Sequence, residues 1–200
     1  FPIVIKPKIG FGSEDVFFIN NKEELEKIDI DFKNFIIQEK IPNSQQVEAG
    51  FFLCKNGQII KGYTHKRIRT YPEKGGVSIY SKLTYNKKII DISKKVIDKL
   101  KWSGLIMIEF LYDTNSNKYK LIEINPRVWG SIMLSEYSNH QLLNSYVRLV
   151  NNKDLEKNQI KDKSYLRWVF PYEILFYLKN PENPFKFFFK DKNTCYVNFS

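Results

Sequence analysis

Two oxygen-bearing side chains near the middle of the chain have the types and spacing to hold a divalent cation. Glu123 and Asn125 interrupt the end of an apolar run, and Arg127 follows two residues later. Alternate side chains of a strand share a face, so Leu121, Glu123 and Asn125 are predicted to point one way, with about 6–7 Å between successive members. A carboxylate in an apolar strand is costly unless a positive group meets it. Mg2+ accepts carboxylate and amide oxygens, and a metal beside a guanidinium suits an enzyme that handles phosphates.

A second apolar run upstream supplies another carboxylate. Glu109 interrupts a predicted strand over 104–111, and the segment 113–118 between the two runs consists of turn-forming residues. If the hairpin folds symmetrically about Ser116, Glu109 lies opposite Glu123, whereas a one-residue change of register makes them diagonal neighbours. Two facing carboxylates repel each other unless they share a cation. The pattern therefore predicts a metal site built from Glu109, Glu123 and Asn125.

An ordinary hairpin with two acids on a solvent-exposed face is the alternative interpretation. Met107 and Leu111, the apolar residues two positions either side of Glu109, argue against a wet face there. The metal site is therefore the favoured interpretation, and the exposed hairpin stays open.

Composition limits the class of protein. The chain has 200 residues, of which 42% are hydrophobic and 16% aromatic, enough for one large domain or two small lobes with a real core. No apolar run approaches the roughly 20 residues of a membrane span, and no signal peptide is recognisable at the start. The chain opens at Phe1, already inside a strand-like run, so we expect a piece of a longer protein. Cys54 and Cys195 lack metal-type spacing, which favours free thiols and a cytoplasmic location.

Positive charge is concentrated in one stretch. The net charge is +10, and twelve Lys or Arg residues between Lys61 and Lys101 face three acidic residues, so this stretch carries +9. Such a stretch could be a nucleic-acid footprint. However, the apolar spacing from Lys88 to Lys101 predicts an amphipathic helix whose lysines lie mostly off the buried stripe. The charge is then spread around the helix, and nucleic-acid binding is unlikely.

The start of the chain has a candidate phosphate-binding loop. Residues 2–6 read as a strand that ends at Lys6, where an ammonium needs an anionic partner. Gly10 and Gly12 then allow close approach of the backbone to a ligand, and loop N–H groups with the Ser13 hydroxyl can bind phosphate oxygens. Many hairpin loops share this pattern. At the other end, a helix is expected from Ser131 or Ser135 through Val150, followed by an aromatic tail that covers the core or docks a further domain.

In this order, these features resemble the ATP-grasp superfamily, in particular its carbamoyl-phosphate-synthase-like, carboxylate–amine ligase branch. The resemblance spans about residues 1–150, and the segment from Glu109 to Arg127 is its most specific part. It implies an α+β, ATP-grasp fold in which two α+β lobes with antiparallel sheets clamp ATP, with the N-terminal domain of such proteins missing. The expected division is an N-terminal lobe over 1–40, a C-terminal lobe over 41–150 and an aromatic-rich extension over 151–200.

The resemblance also assigns nucleotide-binding roles. Lys6 would contact the ATP phosphates or adenine N7, and the Gly10–Ser13 loop would close over the β- and γ-phosphates. The interlobe hinge, Glu39–Ile41, would offer backbone groups to the adenine edge. Gln46 best matches the ribose-binding position, with Glu48 close by. The nucleotide-binding residues so implied are Lys6, Gly10, Gly12, Ser13, Glu39, Lys40, Ile41 and Gln46.

The metal and acceptor roles follow in the same way. Glu109, Glu123 and Asn125 match the family's magnesium ligands, with Mn2+ also possible, and Arg127 matches the arginine that steadies an acyl-phosphate or a substrate carboxylate. The segment 65–69 resembles a phosphate and acceptor-site strand, in which Arg69 is preferred over Arg67. His65 could touch phosphate or be a surface histidine. The catalytic residues so implied are Lys6, Arg69 and Arg127.

The function implied by the resemblance is that of an ATP-dependent ligase core. It would phosphorylate a carboxylate and join the acyl-phosphate to an amine or ammonia, so its partners would be these two small molecules and the N-terminal domain of the same protein. A homodimer is possible, and no membrane partner is expected. The alternative is a nucleotide-binding module without ligase turnover, against which the intact acidic pair, Asn125 and Arg127 count.

Overall fold

The first part of the chain builds a small antiparallel sheet. The computed structural model describes residues 1–10, 15–41, 47–72, 76–179 and 193–198. Strand β1 lies at the centre of this sheet, with β2 and β3 on either side. Asn21 begins a short helix by accepting a hydrogen bond from the Glu24 amide, as expected for this capping residue. The elements are β1 (Ile3–Pro7), β2 (Phe17–Ile19), helix α1 (Lys22–Glu26), a 3-10 turn (Phe32–Asn34) and β3 (Phe35–Glu39).

A second, larger sheet contains seven strands in the order β10-β9-β6-β5-β4-β7-β8. Neighbouring strands in this sheet are antiparallel, except that β9 and β10 run parallel to each other. The fold is therefore α+β with mainly antiparallel sheets, as the sequence predicted. The strands are β4 (Glu48–Lys55), β5 (Gln58–Tyr71), β6 (Val77–Thr84), β7 (Gly104–Asp113), β8 (Lys118–Asn125), β9 (Tyr165–Phe170) and β10 (Thr194–Asn198).

Helices pack on both faces of the large sheet. Helix α2 (Lys87–Leu100) buries Ile89, Ser93 and Ile97, which recur every four residues and so share one side of the helix. The predicted amphipathic helix over 88–101 is thus present with nearly the same bounds. Its partners are Phe52, Ile106 and Phe110 of the sheet. The other face is covered by α3 (Ile132–Tyr137) and α4 (Leu142–Val150), and α5 (Tyr172–Lys179) follows β9. Among the described residues, no helix is long and apolar enough to cross a membrane.

The expected single helix through Val150 is interrupted, so that prediction was wrong in its continuity. Asn139 and Gln141 both have left-handed backbones, with φ of 64° and 49°, which no α-helix can contain. The Ser135 hydroxyl accepts a hydrogen bond from the Leu142 amide and so supports the start of the second helix. The break places His140 at the turn between α3 and α4, where the chain reverses over the core.

The C-terminal extension becomes part of the large sheet. Strand β9 pairs with β6, and β10 then pairs with β9, so Tyr165–Phe170 and Thr194–Asn198 lengthen the sheet at one edge. Leu166, Trp168 and Val197 join the core cluster that also contains Phe51 and Trp129. The aromatic tail therefore covers the core, as one of the two interpretations expected, in the residues that the structure describes.

Two histidines are buried as neutral side chains in this core. His140 forms hydrogen bonds with the Tyr85 hydroxyl at 2.6 Å and the Ser138 hydroxyl at 2.8 Å, and its burial lowers its pKa to about 4. His65 is only 1% exposed and meets the Phe51 ring edge-on at 4.3 Å between centroids. Burial, aided by the nearby Arg67 charge, lowers the pKa of His65 well below its ordinary value. The expectation of a surface histidine at position 65 was wrong, because strand alternation turns it inward.

Acid should therefore destabilise the fold before most carboxylates titrate. The unfolded chain protonates His140 near the ordinary value of 6.5, whereas the folded chain resists protonation down to about 4. The stability from the neutral form is complete above about pH 6.5 and is lost progressively as the pH falls toward 4. Urea unfolding across this range should show that the free energy of unfolding declines as the pH falls. The decline should be shallower in His140→Gln than in the wild-type protein. An unchanged pH slope in that variant would contradict this assignment.

Candidate metal and nucleotide site

The two predicted metal carboxylates lie directly opposite each other in the large sheet. Glu109 of β7 pairs with Glu123 of β8, as the symmetric hairpin predicted. The turn itself is offset by one residue, because Tyr112 pairs with Tyr119, and this offset alone would make the acids diagonal. An extra residue in β8, Ile122, which has no cross-strand partner, restores the opposite pairing. A β-bulge therefore brings the two carboxylates face to face.

The same bulge changes one prediction about side-chain direction. Leu121 pairs with Phe110, whereas Glu123 pairs with Glu109, and adjacent residues of β7 point to opposite faces. Leu121 is thus on the other face from Glu123, not on the same face as regular alternation predicted. Glu123 and Asn125 still share a face, because their partners Glu109 and Met107 are two residues apart.

The small sheet reaches the site at this bulge. The Lys6 ammonium donates a 2.6 Å hydrogen bond to the Ile122 carbonyl, which belongs to the residue left unpaired in β8. Lys120 lies 3.5 Å from the Glu39 carboxylate at the end of β3. Two strands of the small sheet, β1 and β3, therefore contact β8 next to the facing carboxylates. The predicted phosphate-binding lysine is placed beside the predicted metal ligands.

Arg67 provides the positive group that meets the buried carboxylate. Its Nη2 donates to Glu109 Oε1 at 2.6 Å, and the Glu109 residue is only 5% exposed. Burial raises the pKa of Glu109 above its ordinary value of 4.5, Arg67 opposes this rise and the facing Glu123 adds to it. Lys6 and Arg127 also lower the pKa of Glu109, by less than Arg67 does. A further cation at this point would lower the electrostatic cost of ionising both.

The donor set fits a hard cation such as Mg2+. Glu123 is exposed, whereas Asn125 is 6% exposed, and no hydrogen bond to the Asn125 amide occurs among the residues that the structure describes. Two carboxylates and an amide offer oxygen ligands of the kind that Mg2+ prefers. A cluster of three or more His, Cys, Asp or Glu side chains is not found within the described ranges. The third protein oxygen would therefore come from Asn125.

Arg69 is not brought to the carboxylates, although the sequence favoured it over Arg67. Arg67 pairs with Ser81 of β6, and Arg69 pairs with Tyr80, the adjacent residue, so the two arginines point to opposite faces of the sheet. The extra residue between them, Ile68, produces this switch. Regular alternation puts both arginines on one face, so no local signal in the sequence distinguishes them.

The predicted nucleotide-binding residues are only partly described. Gly12, Ser13 and Gln46 lie outside the described residues. Gly10 follows β1 and is exposed, while Lys40 and Ile41 continue from β3 into the connection between the sheets. The Lys40 ammonium donates to the Asn20 side-chain oxygen at 3.3 Å. The segment 39–41 leads from β3 of the small sheet toward the large sheet, a position that suits a hinge.

Glu48, the alternative ribose-binding candidate, lies away from the carboxylate pair. It pairs with Phe110, the neighbour of Glu109 on the opposite face of β7. Its carboxylate accepts hydrogen bonds from the Tyr119 hydroxyl at 3.1 Å and the Asn86 amide at 3.0 Å. These bonds hold Glu48 near the start of α2, so it cannot serve a nucleotide on the Glu109 face.

Comparison with known proteins identifies the family of the chain. A family model described as the ATP-grasp domain matches residues 1–131, which include the small sheet and the whole β7–β8 hairpin. The chain belongs to the ATP-grasp family. The match ends before α3, so the part of this ATP-grasp chain that carries α5 and β10 lies beyond the matched residues.

Individual relatives are distant and much longer. The carbamoyl phosphate synthase large chain of Clostridium acetobutylicum is 21% identical over 168 residues, which cover 78% of this chain and 16% of that protein. Rhizobium etli pyruvate carboxylase matches with a TM-score of 0.64 at 14% identity, over 82% of this chain and 17% of that chain. The biotin carboxylase domain of Hydrogenobacter thermophilus 2-oxoglutarate carboxylase, solved with MgADP, gives 0.62 at 14% identity, covering 82% and 40% of the two chains. The structural matches establish the shared fold, and this chain spans about a sixth of its curated relative.

The Arg67–Glu109 pair should behave as a buried ion pair in a stability experiment. Arg67→Met leaves a buried carboxylate without its guanidinium, so the free energy of unfolding should fall by about 3 kcal/mol. Glu109→Gln with Arg67→Met removes both charges and should recover much of that loss. Urea unfolding of the single variants and the double variant measures this coupling. Additive losses in the double variant would show that the pair contributes nothing specific.

Proposed function

We propose that this ATP-grasp domain is the core of an ATP-dependent carboxylate–amine ligase. The observation that carries the proposal is the hydrogen bond from Lys6 of the small sheet to the Ile122 carbonyl, next to the Glu109–Glu123 pair of the large sheet. A fixed cation and two facing carboxylates at one point suit a metal-bound polyphosphate. The family match and the MgADP in a structural relative support a nucleotide as that polyphosphate.

The nucleotide would lie between the two sheets. The Lys6 ammonium, now on the Ile122 carbonyl, is positioned to turn to a phosphate oxygen with little movement of its strand. Gly10, Gly12 and Ser13 are the proposed loop over the β- and γ-phosphates, and residues Glu39–Ile41 the proposed contact with the adenine edge. Gln46 remains the proposed ribose contact, since the neighbouring Glu48 is held on the opposite face.

Glu109, Glu123 and Asn125 would hold Mg2+ against the phosphates. Bound there, magnesium neutralises the charge that develops as the γ-phosphoryl group is transferred. Arg67 would support Glu109 and would not bind the metal itself. Its hydrogen bond orients the Glu109 carboxylate, and its charge opposes the rise in the pKa of Glu109 that burial causes.

The acceptor carboxylate would be bound by arginines. Arg127 is exposed two residues beyond Asn125 and follows the metal strand. Arg67 is the proposed second arginine, because its side chain stays 15% exposed beside Glu109. A carboxylate held there is a poor electrophile until it accepts the γ-phosphoryl group. The acyl-phosphate then loses phosphate when an amine or ammonia attacks the carbonyl carbon.

Loss of one metal carboxylate should weaken nucleotide binding. In the full-length protein, Glu123→Ala should weaken Mg2+-ATP binding at least tenfold in isothermal titration calorimetry, because it removes an exposed ligand with little cost to the core. Glu26→Ala, on the exposed surface of α1, is the matched control and should bind as wild type. Absence of Mg2+-ATP binding to the wild-type protein would overturn the site assignment.

Ligase turnover should require both acceptor substrates. A screen of carboxylic acids against amines and ammonia, read as ADP release by full-length protein, should yield a pair that gives ADP and phosphate in equal amounts. Arg127→Met should reduce that turnover at least tenfold while Mg2+-ATP binding persists. Tight nucleotide binding with no turnover across a broad screen would instead favour a nucleotide-binding module without ligase activity.

A further inference from the structure

The C-terminal extension places a carboxylate between two arginines on the face of the sheet opposite the metal site. Glu173 of α5 is 0% exposed. Its Oε1 forms an ion pair with Arg69 Nη2 at 3.0 Å and accepts a hydrogen bond from Arg167 Nη2 at 2.8 Å, and its Oε2 accepts from Arg167 Nε at 2.9 Å. The Arg69 Nη1 also donates to the Tyr177 hydroxyl, one turn further along the helix. A single buried acid thus neutralises part of the charge of two guanidinium groups.

This arrangement depends on the switch at Ile68. Arg69 shares a face with Tyr80 and Arg167 because these three residues pair across β5, β6 and β9. The guanidinium of Arg69 lies 4.7 Å from the Tyr80 ring centroid, so aromatic contact adds to the ion pair. Without the extra residue, regular alternation would put Arg69 on the face of Arg67, two residues away on the same strand.

We propose that Glu173 is a positioning residue for the ligase site, because it holds Arg69 on the far face and so maintains the switch by which Arg67, and not Arg69, is the arginine of β5 that meets Glu109. The inference rests on the proposed function, since it concerns the residues that would bind metal and acceptor. It gives the segment beyond the matched domain a role in the site without direct contact with any substrate. The strand between Arg67 and Arg69 transmits the effect.

The physical reason is a competition between two guanidinium groups. Glu109 and Glu123 attract positive charge, and Arg69 is the next guanidinium along the same strand. With Glu173 in place, Arg69 has a buried partner of its own. Without that carboxylate, Arg69 and Arg167 are left as neighbouring like charges, and both the repulsion and the attraction of the metal carboxylates favour movement of Arg69 toward the Glu109 face.

The test uses variants of the full-length protein in which Arg69 is retained or removed. Glu173→Gln keeps the shape of the side chain and should weaken Mg2+-ATP binding about tenfold in calorimetry. Adding Arg69→Met should restore binding to within about twofold of wild type, because the competing guanidinium is then absent. Tyr177→Phe is a milder variant that removes one Arg69 contact and should weaken binding two- to threefold. Binding is measured at a temperature where circular dichroism shows every variant to be folded.

A second readout does not depend on nucleotide. The Arg67 side-chain Nε–H resonance, assigned by its loss in Arg67→Lys, should exchange slowly with solvent in wild type. It should exchange at least tenfold faster in Glu173→Gln and slowly again in the double variant. Unchanged exchange in Glu173→Gln, or failure of Arg69→Met to reverse the change, would overturn the inference and leave a merely structural ion pair. The three proteins could show this pattern of exchange although the wild-type protein binds no Mg2+-ATP. That result would refute the proposed function and retain the positioning role of Glu173.

Discussion

Two carboxylates that face each other across one strand pair impose the main constraint on this molecule. Glu109 and Glu123 lie opposite each other, and the pKa of the buried Glu109 is raised both by burial and by its neighbour. Such a pair is unfavourable unless positive charge is brought to it. Strand β5 of the large sheet places Arg67 against Glu109, and β1 of the small sheet places Lys6 beside the pair. Both sheets therefore bring positive charge to this point.

Irregularities in the strands make that delivery possible. The bulge at Ile122 sets the carboxylates opposite each other. The carbonyl of Ile122 also accepts a hydrogen bond from the Lys6 ammonium. The extra residue at Ile68 turns Arg67 and Arg69 to opposite faces, so that one guanidinium serves the site and the other binds the C-terminal extension. Bulges that redirect side chains are common next to active sites. Here two of them define which charged groups meet.

The sequence predicted the parts of the site that depend on local pattern. Acids interrupting apolar strands, with a turn between them, predicted that Glu109 and Glu123 face each other, and the amphipathic spacing located α2. The place of Lys6 in the same site was implied by the resemblance to the ATP-grasp superfamily. The sequence could not predict which of Arg67 and Arg69 faces the carboxylates, because this depends on how β6 pairs with β5. The single long helix through Val150 was also mispredicted, since two left-handed residues stop it.

The position of a bound metal ion decides whether Glu109 and Glu123 form the metal site. Crystals of the full-length protein grown with ADP and Mn2+ can be measured at the manganese absorption edge, where anomalous scattering marks the ion without reference to any assumed site. The account predicts an anomalous peak within coordinating distance of both Glu109 and Glu123, on the side of the pair that faces Lys6. Ordered ADP with no anomalous peak at these carboxylates, or a peak bound elsewhere in the protein, would contradict it.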